Sequence, residues 1–123
     1  MGEPGTISVD HAGRERWIVE LHGEHDVSTV GELHARLEAI FAQGTSVVID
    51  LSAATFIDSA ILHELVSAQR RVDRDDGEEL AVVAPPEGFA ARVFAQVGLD
   101  AMVAVFETPS DALRSFAYPR RLA

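Results

Sequence analysis

Asp58, Ser59 and His63 stand within six residues of one another and carry an acid, a hydroxyl and an imidazole. Ser59 and His63 are four apart, so a helix would place them on one face, where an imidazole can serve as base toward a hydroxyl. A serine nucleophile also needs an oriented base and donors for an oxyanion, and the chain has no Gly-x-Ser-x-Gly turn to supply them. The same hydroxyl can instead receive a group: a serine at a helix start lies beside backbone N–H groups that support an attached phosphate. A second set, Glu24, His25 and Asp26 with His22 close by, follows a stretch of alternating apolar residues. His22 and His25 have a spacing that invites metal, but no third clear ligand accompanies them and such pairs are ordinarily surface groups. No catalytic residue and no metal centre are expected.

The elements that must position these residues can be read from periodicity. Residues 6–10 and 16–22 alternate apolar with polar positions, and His11-Ala12-Gly13-Arg14 between them makes a turn, which predicts an antiparallel hairpin. Val30, Leu33, Leu37, Ile40 and Phe41 recur at helical spacing, Thr29 with Glu32 has the spacing of a capping box, and Gly44 supplies a stop. Val47-Val48-Ile49 is a short β-branched run of the kind buried at the centre of a parallel sheet. After a loop over residues 51–55, Asp58 caps a helix whose apolar positions are Ile61, Leu62, Leu65, Val66 and Val72, and Asp75-Asp76-Gly77 breaks it. Residues 80–84 form another buried strand, Phe89, Val93, Phe94 and Val97 a helix ending at Gly98, and residues 101–106 the last strand. Thr108-Pro109-Ser110-Asp111 opens a final helix running to about Tyr118.

That order, β-β-α-β-α-β-α-β-α, predicts an α/β fold with a mixed sheet of four to five strands, a leading antiparallel hairpin, about four helices and right-handed crossovers. With 123 residues and 47% hydrophobic content the chain suits one packed domain. A net charge of -10 opposes binding to nucleic-acid phosphates or anionic membrane surfaces and favours a protein partner with a basic patch. The absence of cysteine excludes disulfides and thiolate metal or redox sites, and suits a reducing cytoplasm. No apolar run approaches the roughly 18 residues of a membrane span, and residues 1–5 lack the pattern of a leader, so a soluble, unexported protein is expected. All ten basic residues are arginine, which leaves no lysine for a phosphate-binding loop.

Val47-Val48-Ile49-Asp50-Leu51-Ser52, followed by Phe56-Ile57-Asp58-Ser59 and an amphipathic helix, resembles the STAS domains of anti-sigma factor antagonists. Gly23-Glu24-His25-Asp26, the Arg92 to Leu99 segment with its Gly-Leu ending, and the element order extend the resemblance from about Ile7 to Tyr118. It implies the STAS fold, with residues 1–123 as one STAS domain, a core at about 6–118 and short loose termini. It implies a bacterial transcription regulator that binds a protein acting both as anti-sigma factor and serine kinase, thereby freeing sigma. Ser59 matches the residue that the kinase phosphorylates to end the complex, and a separate phosphatase resets it. Glu24, Asp26, Asp58, Ala60 and Ile61 are the implied partner-binding residues. No cofactor is expected in the chain, because ATP and magnesium belong to the kinase. The family reads Asp-Ser-Ser or Asp-Ser-Thr before Gly-Leu, whereas this chain reads Asp58-Ser59-Ala60-Ile61-Leu62, which implies less backbone access and an added apolar contact at Ile61. A STAS scaffold or sensor module in which Ser59 is structural is the alternative.

Overall fold

The computed structural model describes residues 5–74 and 77–116. Strands β1 (Thr6–His11) and β2 (Arg16–His25) form the leading antiparallel hairpin, followed by helix α1 (Val27–Ala42) and strand β3 (Ser46–Asp50). Strand β4 (Ala54–Ile57) leads into α2 (Ser59–Arg74), and β5 (Leu80–Val83) into α3 (Phe89–Val97). A 3-10 turn at Leu99–Ala101, strand β6 (Val105–Phe106) and helix α4 (Pro109–Ser115) complete the order. The sheet runs β1-β2-β3-β5-β6, with β4 paired to β2 off that path. Every pairing except the hairpin is parallel, so the crossovers bring successive helix starts to the carboxyl edge of the sheet.

Side-chain parity assigns the two faces. Val47 and Ile49 of β3 enter the larger core with Leu33, Leu37, Ile40 and Phe41 of α1, Ile61, Leu65, Ala68 and Val72 of α2, and Phe94 of α3. Val48, between them in sequence, points the other way and packs with Ala81, Val83, Ala112 and Phe116 under α4. All five residues of β3 are buried, because helices cover both faces of a central parallel strand. Among the described residues no helix is long and apolar enough to cross a membrane.

The structure corrects the expected element boundaries in four places. The sheet has six strands rather than four to five: residues 54–57, expected to begin as loop, form β4, whose burial pattern is not the alternation that marks a strand in sequence. β2 runs three residues past His22: it leaves β3 after Glu20 and pairs with β4 from Gly23, at φ 85, with a register shift between Gly23 and Glu24 where Thr55 of β4 is the extra residue. Helix α1 starts one turn before the expected Thr29–Glu32 box: Asp26 is the cap, and Thr29 fills the reciprocal position three residues on. The last strand is two residues long rather than six, since residues 99–101 wind into the 3-10 turn. α4 begins as expected, with Thr108 as cap and Pro109 in the first turn, and closes at Ser115; its expected continuation to Tyr118, like Asp75 and Asp76 of the helix-breaking triplet, lies outside the described residues.

α1 and α2 are joined on the surface by charge. His34 Nδ1 of α1 lies 2.9 Å from Glu64 Oε2 of α2, His34 Nε2 lies 3.8 Å from Glu38, and Arg71 of α2 reaches Glu38 at 2.8 Å. The Glu64 contact, with its hydrogen bond and its charge, raises the His34 pKa. A raised histidine pKa stabilises the fold fully below the unfolded value and loses that contribution as pH climbs through the folded value. Thermal stability is therefore expected to decline between about pH 6 and pH 8 in wild type and to decline less in His34→Gln. Identical slopes for the two proteins in calorimetry would rule the bridge out as the source.

Candidate phospho-acceptor and partner site

The site is assembled by two strand-to-helix units lying side by side. β2 and β4 are parallel, and their last residues, His25 and Ile57, are partners in the ladder. Each strand hands over to a helix through an aspartate. Asp26 Oδ1 accepts from Ser28 N at 2.9 Å, and Asp58 Oδ1 accepts from Ala60 N at 2.9 Å and from Ile61 N at 3.3 Å. Both carboxylates satisfy backbone donors that a helix start leaves open. Matched strand ends thus set two caps, and two positive helix ends, next to each other at one edge of the sheet.

Ser59 is the first residue of α2 and is exposed. The Asp58 carboxylate accepts from the N–H groups behind it, so the hydroxyl stands at the helix mouth without being the cap. Asp58→Ala removes the acceptor for two N–H groups and is expected to lower stability by about 1 kcal/mol, with Asp58→Asn recovering most of it, as denaturant titration would read. No change in the midpoint would mean that water replaces the cap without cost.

Asp26 is held below the usual carboxylate range, first by the Ser28 hydroxyl, which donates at 2.6 Å, and then by the Ser28 N–H at 2.9 Å. It is therefore an anion at neutral pH, fixed in direction by two donors. Glu24 is exposed beside Phe56 in the ladder. Ala60 is half-buried and donates its N–H to Asp58.

Two expectations for this region change. Ile61 is wholly buried, with Leu65 and Ala68 on the core side of α2. Its side chain therefore offers no apolar contact to a partner, and it does not stand over the Ser59 hydroxyl. His25 is wholly buried rather than a surface group, with Nδ1 3.0 Å from Thr29 Oγ1 and Nε2 3.0 Å from the His22 carbonyl. His22 pairs with Glu20 at 3.1 Å. Among the described residues no group of three or more histidines and acids is placed to hold a metal, and no hydrogen bond joins Ser59 to the exposed His63.

Sequence reasoning missed the apolar part of this edge. Val27, the first residue of α1 and the counterpart of Ser59 on the neighbouring unit, is 74% exposed, and Phe56 is 40% exposed. The Phe56 ring lies 5.5 Å from Phe89 at the start of α3, and the Arg92 guanidinium lies 5.9 Å above Phe89. A valine directly after a capping aspartate, off the Leu33–Leu37 stripe, is the signal that could have found the first of these. An edge with two carboxylates, an exposed hydroxyl and exposed apolar side chains is suited to a protein partner and to a large gain of negative charge by modification.

The family model described as the STAS domain matches residues 7–112. The crystal structure of an anti-sigma factor antagonist from Mycobacterium paratuberculosis is similar over 91% of this chain and 93% of its own, at 27% identity and TM-score 0.80. An anti-sigma-factor antagonist (STAS) domain protein from Planctomyces limnophilus is similar over 89% of this chain and 96% of its own, at 20% identity and TM-score 0.72. The Bacillus cell fate determinant SpoIIAA in its phosphorylated form is similar over 89% and 98%, at 20% identity and TM-score 0.68. No curated protein matches the chain.

Proposed function

This chain belongs to the STAS domain family, and from that premise we propose that it is an anti-sigma factor antagonist acting in the cytoplasm by protein binding. In its unmodified form it binds an anti-sigma factor that is also a serine kinase, and sigma is released. The kinase phosphorylates Ser59, the complex parts, and a phosphatase acting on phospho-Ser59 restores the binding form.

The observation that carries this reading is the exposed Ser59 hydroxyl at the first position of a 16-residue helix, beside a second helix start capped by an anionic Asp26. A helix mouth supports a phosphate locally, so the free protein keeps its fold when modified. In a complex the same phosphate adds roughly -1.5 to -2 charge next to Asp58 and Asp26, where a partner has excluded water. Glu24, Asp26 and Asp58 then form the polar part of the partner surface, with Ala60 as a small apolar contact beside Ser59 and Val27 and Phe56 as its apolar anchors. The replacement of the family's glycine by Ile61 leaves this surface open, since the isoleucine side chain is spent in the core.

The test is incubation with the candidate anti-sigma kinase and ATP-magnesium, reading intact mass and complex formation together. Addition of one phosphate to wild type but not to Ser59→Ala, with loss of the complex only in wild type, is the expected result. A complex that persists with no phosphate added would overturn the switch and leave an adaptor.

A further inference from the structure

The geometry points to His25 as a positioning residue for the partner surface, its ring fastening the β2 register shift to the first turn of α1 and so fixing where Asp26 stands. This rests on the reading that Asp26 belongs to that surface. His25 is 0% exposed and both ring nitrogens are engaged. The His22 carbonyl can only accept, so Nε2 carries a proton and donates to it. That carbonyl lies immediately before Gly23, where the strand shifts register. Nδ1 meets Thr29 Oγ1, the same oxygen that accepts from Asp26 N at 3.2 Å. One ring therefore links the shifted strand, the capping aspartate and the helix turn that Asp26 begins. Gly5 closes over it as well: a Cβ there would fall 2.6 Å from His25 Nε2 and 2.2 Å from the Glu24 carbonyl.

The neighbouring unit shows that filling space does not require a histidine. At the matched end of β4 the residue before the capping aspartate is Ile57, equally buried at 2% exposure and purely apolar. The ladder's extra residue, Thr55, lies on this β4 side, yet among the described residues no side chain bonds β4 to the first turn of α2 as His25 bonds β2 to α1. A buried imidazole carries a desolvation cost that its hydrogen bonds must offset, and here those bonds go to the two places that determine the direction of Asp26.

The experiment compares wild type with His25→Leu, His25→Gln and His25→Asn. Leucine keeps an apolar body of similar size, glutamine extends a donor toward the His22 carbonyl, and asparagine presents an acceptor toward Thr29. Long-range 1H–15N spectra of wild type are expected to show Nε2 protonated, and Thr29→Val to move the Nδ1 signal. His25→Leu is expected to speed amide exchange at Ser28 and Thr29 about tenfold and to weaken the partner complex about tenfold, with the amide variants recovering part of both. Wild-type exchange and affinity in His25→Leu would overturn the inference, as would faster exchange with unchanged affinity. The exchange readout needs no partner, so a wild type that binds no anti-sigma kinase would sink the switch reading while exchange still decides whether His25 holds Asp26.

Discussion

A single phosphate on Ser59 is expected to weaken the complex with the anti-sigma kinase about a hundredfold or more, the equivalent of roughly 2.7 kcal/mol, because like charges brought together in an interface cost several kcal/mol. The same phosphate on the free protein has a milder effect. Ser59 is exposed at a helix start, where a negative group gains about 0.3–1 kcal/mol from the backbone dipoles, so the melting temperature should hardly move. This contrast separates a switch that acts at the interface from one that unfolds the site. Ser59→Asp brings one charge closer to the backbone and without the extra oxygens, so its loss of affinity is expected to be about tenfold. Titration calorimetry on protein whose phosphorylation state is verified by mass would decide it. A phosphorylated form that binds within threefold of the unmodified form would remove Ser59 from the mechanism.

The second large effect is expected at Ile61. Restoring the glycine that the family carries at this point removes a fully buried side chain from the larger core. Truncating a buried isoleucine to alanine costs about 2–5 kcal/mol, and glycine adds about 1 kcal/mol of helix propensity. Ile61→Gly is therefore expected to lose about 4 kcal/mol, a large share of the 5–15 kcal/mol that holds an ordinary domain together. Below its melting temperature it should still accept phosphate at Ser59, because the removed atoms face inward. Urea titration and a phosphorylation time course would be read side by side. A stable Ile61→Gly with altered partner affinity would show that Ile61 works at the surface after all.

The two outcomes for Ile61 show where reading residues in order succeeds and where it stops. Helical spacing placed Ile61 on a stripe with Leu65 and Val72, which was enough to predict some burial. The same sequence also placed it two residues after Ser59, which suggested contact with whatever touches Ser59. Distance along the chain could not choose between these, because the first turn of a helix turns its side chains through most of a circle. β3 was legible because a central parallel strand is a continuous β-branched run, and α4 because Thr108 and Pro109 mark its start by their own chemistry. β4 was not, because Ala54-Thr55-Phe56-Ile57 becomes a strand only by pairing with the last residues of β2, and Thr55, left unpaired at a register shift, breaks its alternation. Asp26 was found as a motif member but not as a cap, since Thr29 with Glu32 offered an equally good local pattern one turn later. His25 was misplaced for a related reason: a histidine at a strand end is usually wet, and what dries this one is the approach of Gly5 from the start of the chain together with the first turn of α1 folding back on the ring.

The pairing of β2 with β4 brings together residues some thirty positions apart in the chain. The peptide Asp58-Ser59-Ala60 leaves the ribosome as one short piece, but its neighbours Glu24 and Asp26 join it only after β2 has accepted β4 and two helices have docked. Encounter of such distant segments is the slow part of building a parallel sheet. On the reading proposed above, a kinase that reads Asp26 together with Ser59 inspects the finished tertiary structure, not a stretch of sequence. Nascent, misfolded or proteolysed copies are then invisible to it, and the regulatory count of antagonist molecules includes only those whose synthesis has been completed correctly.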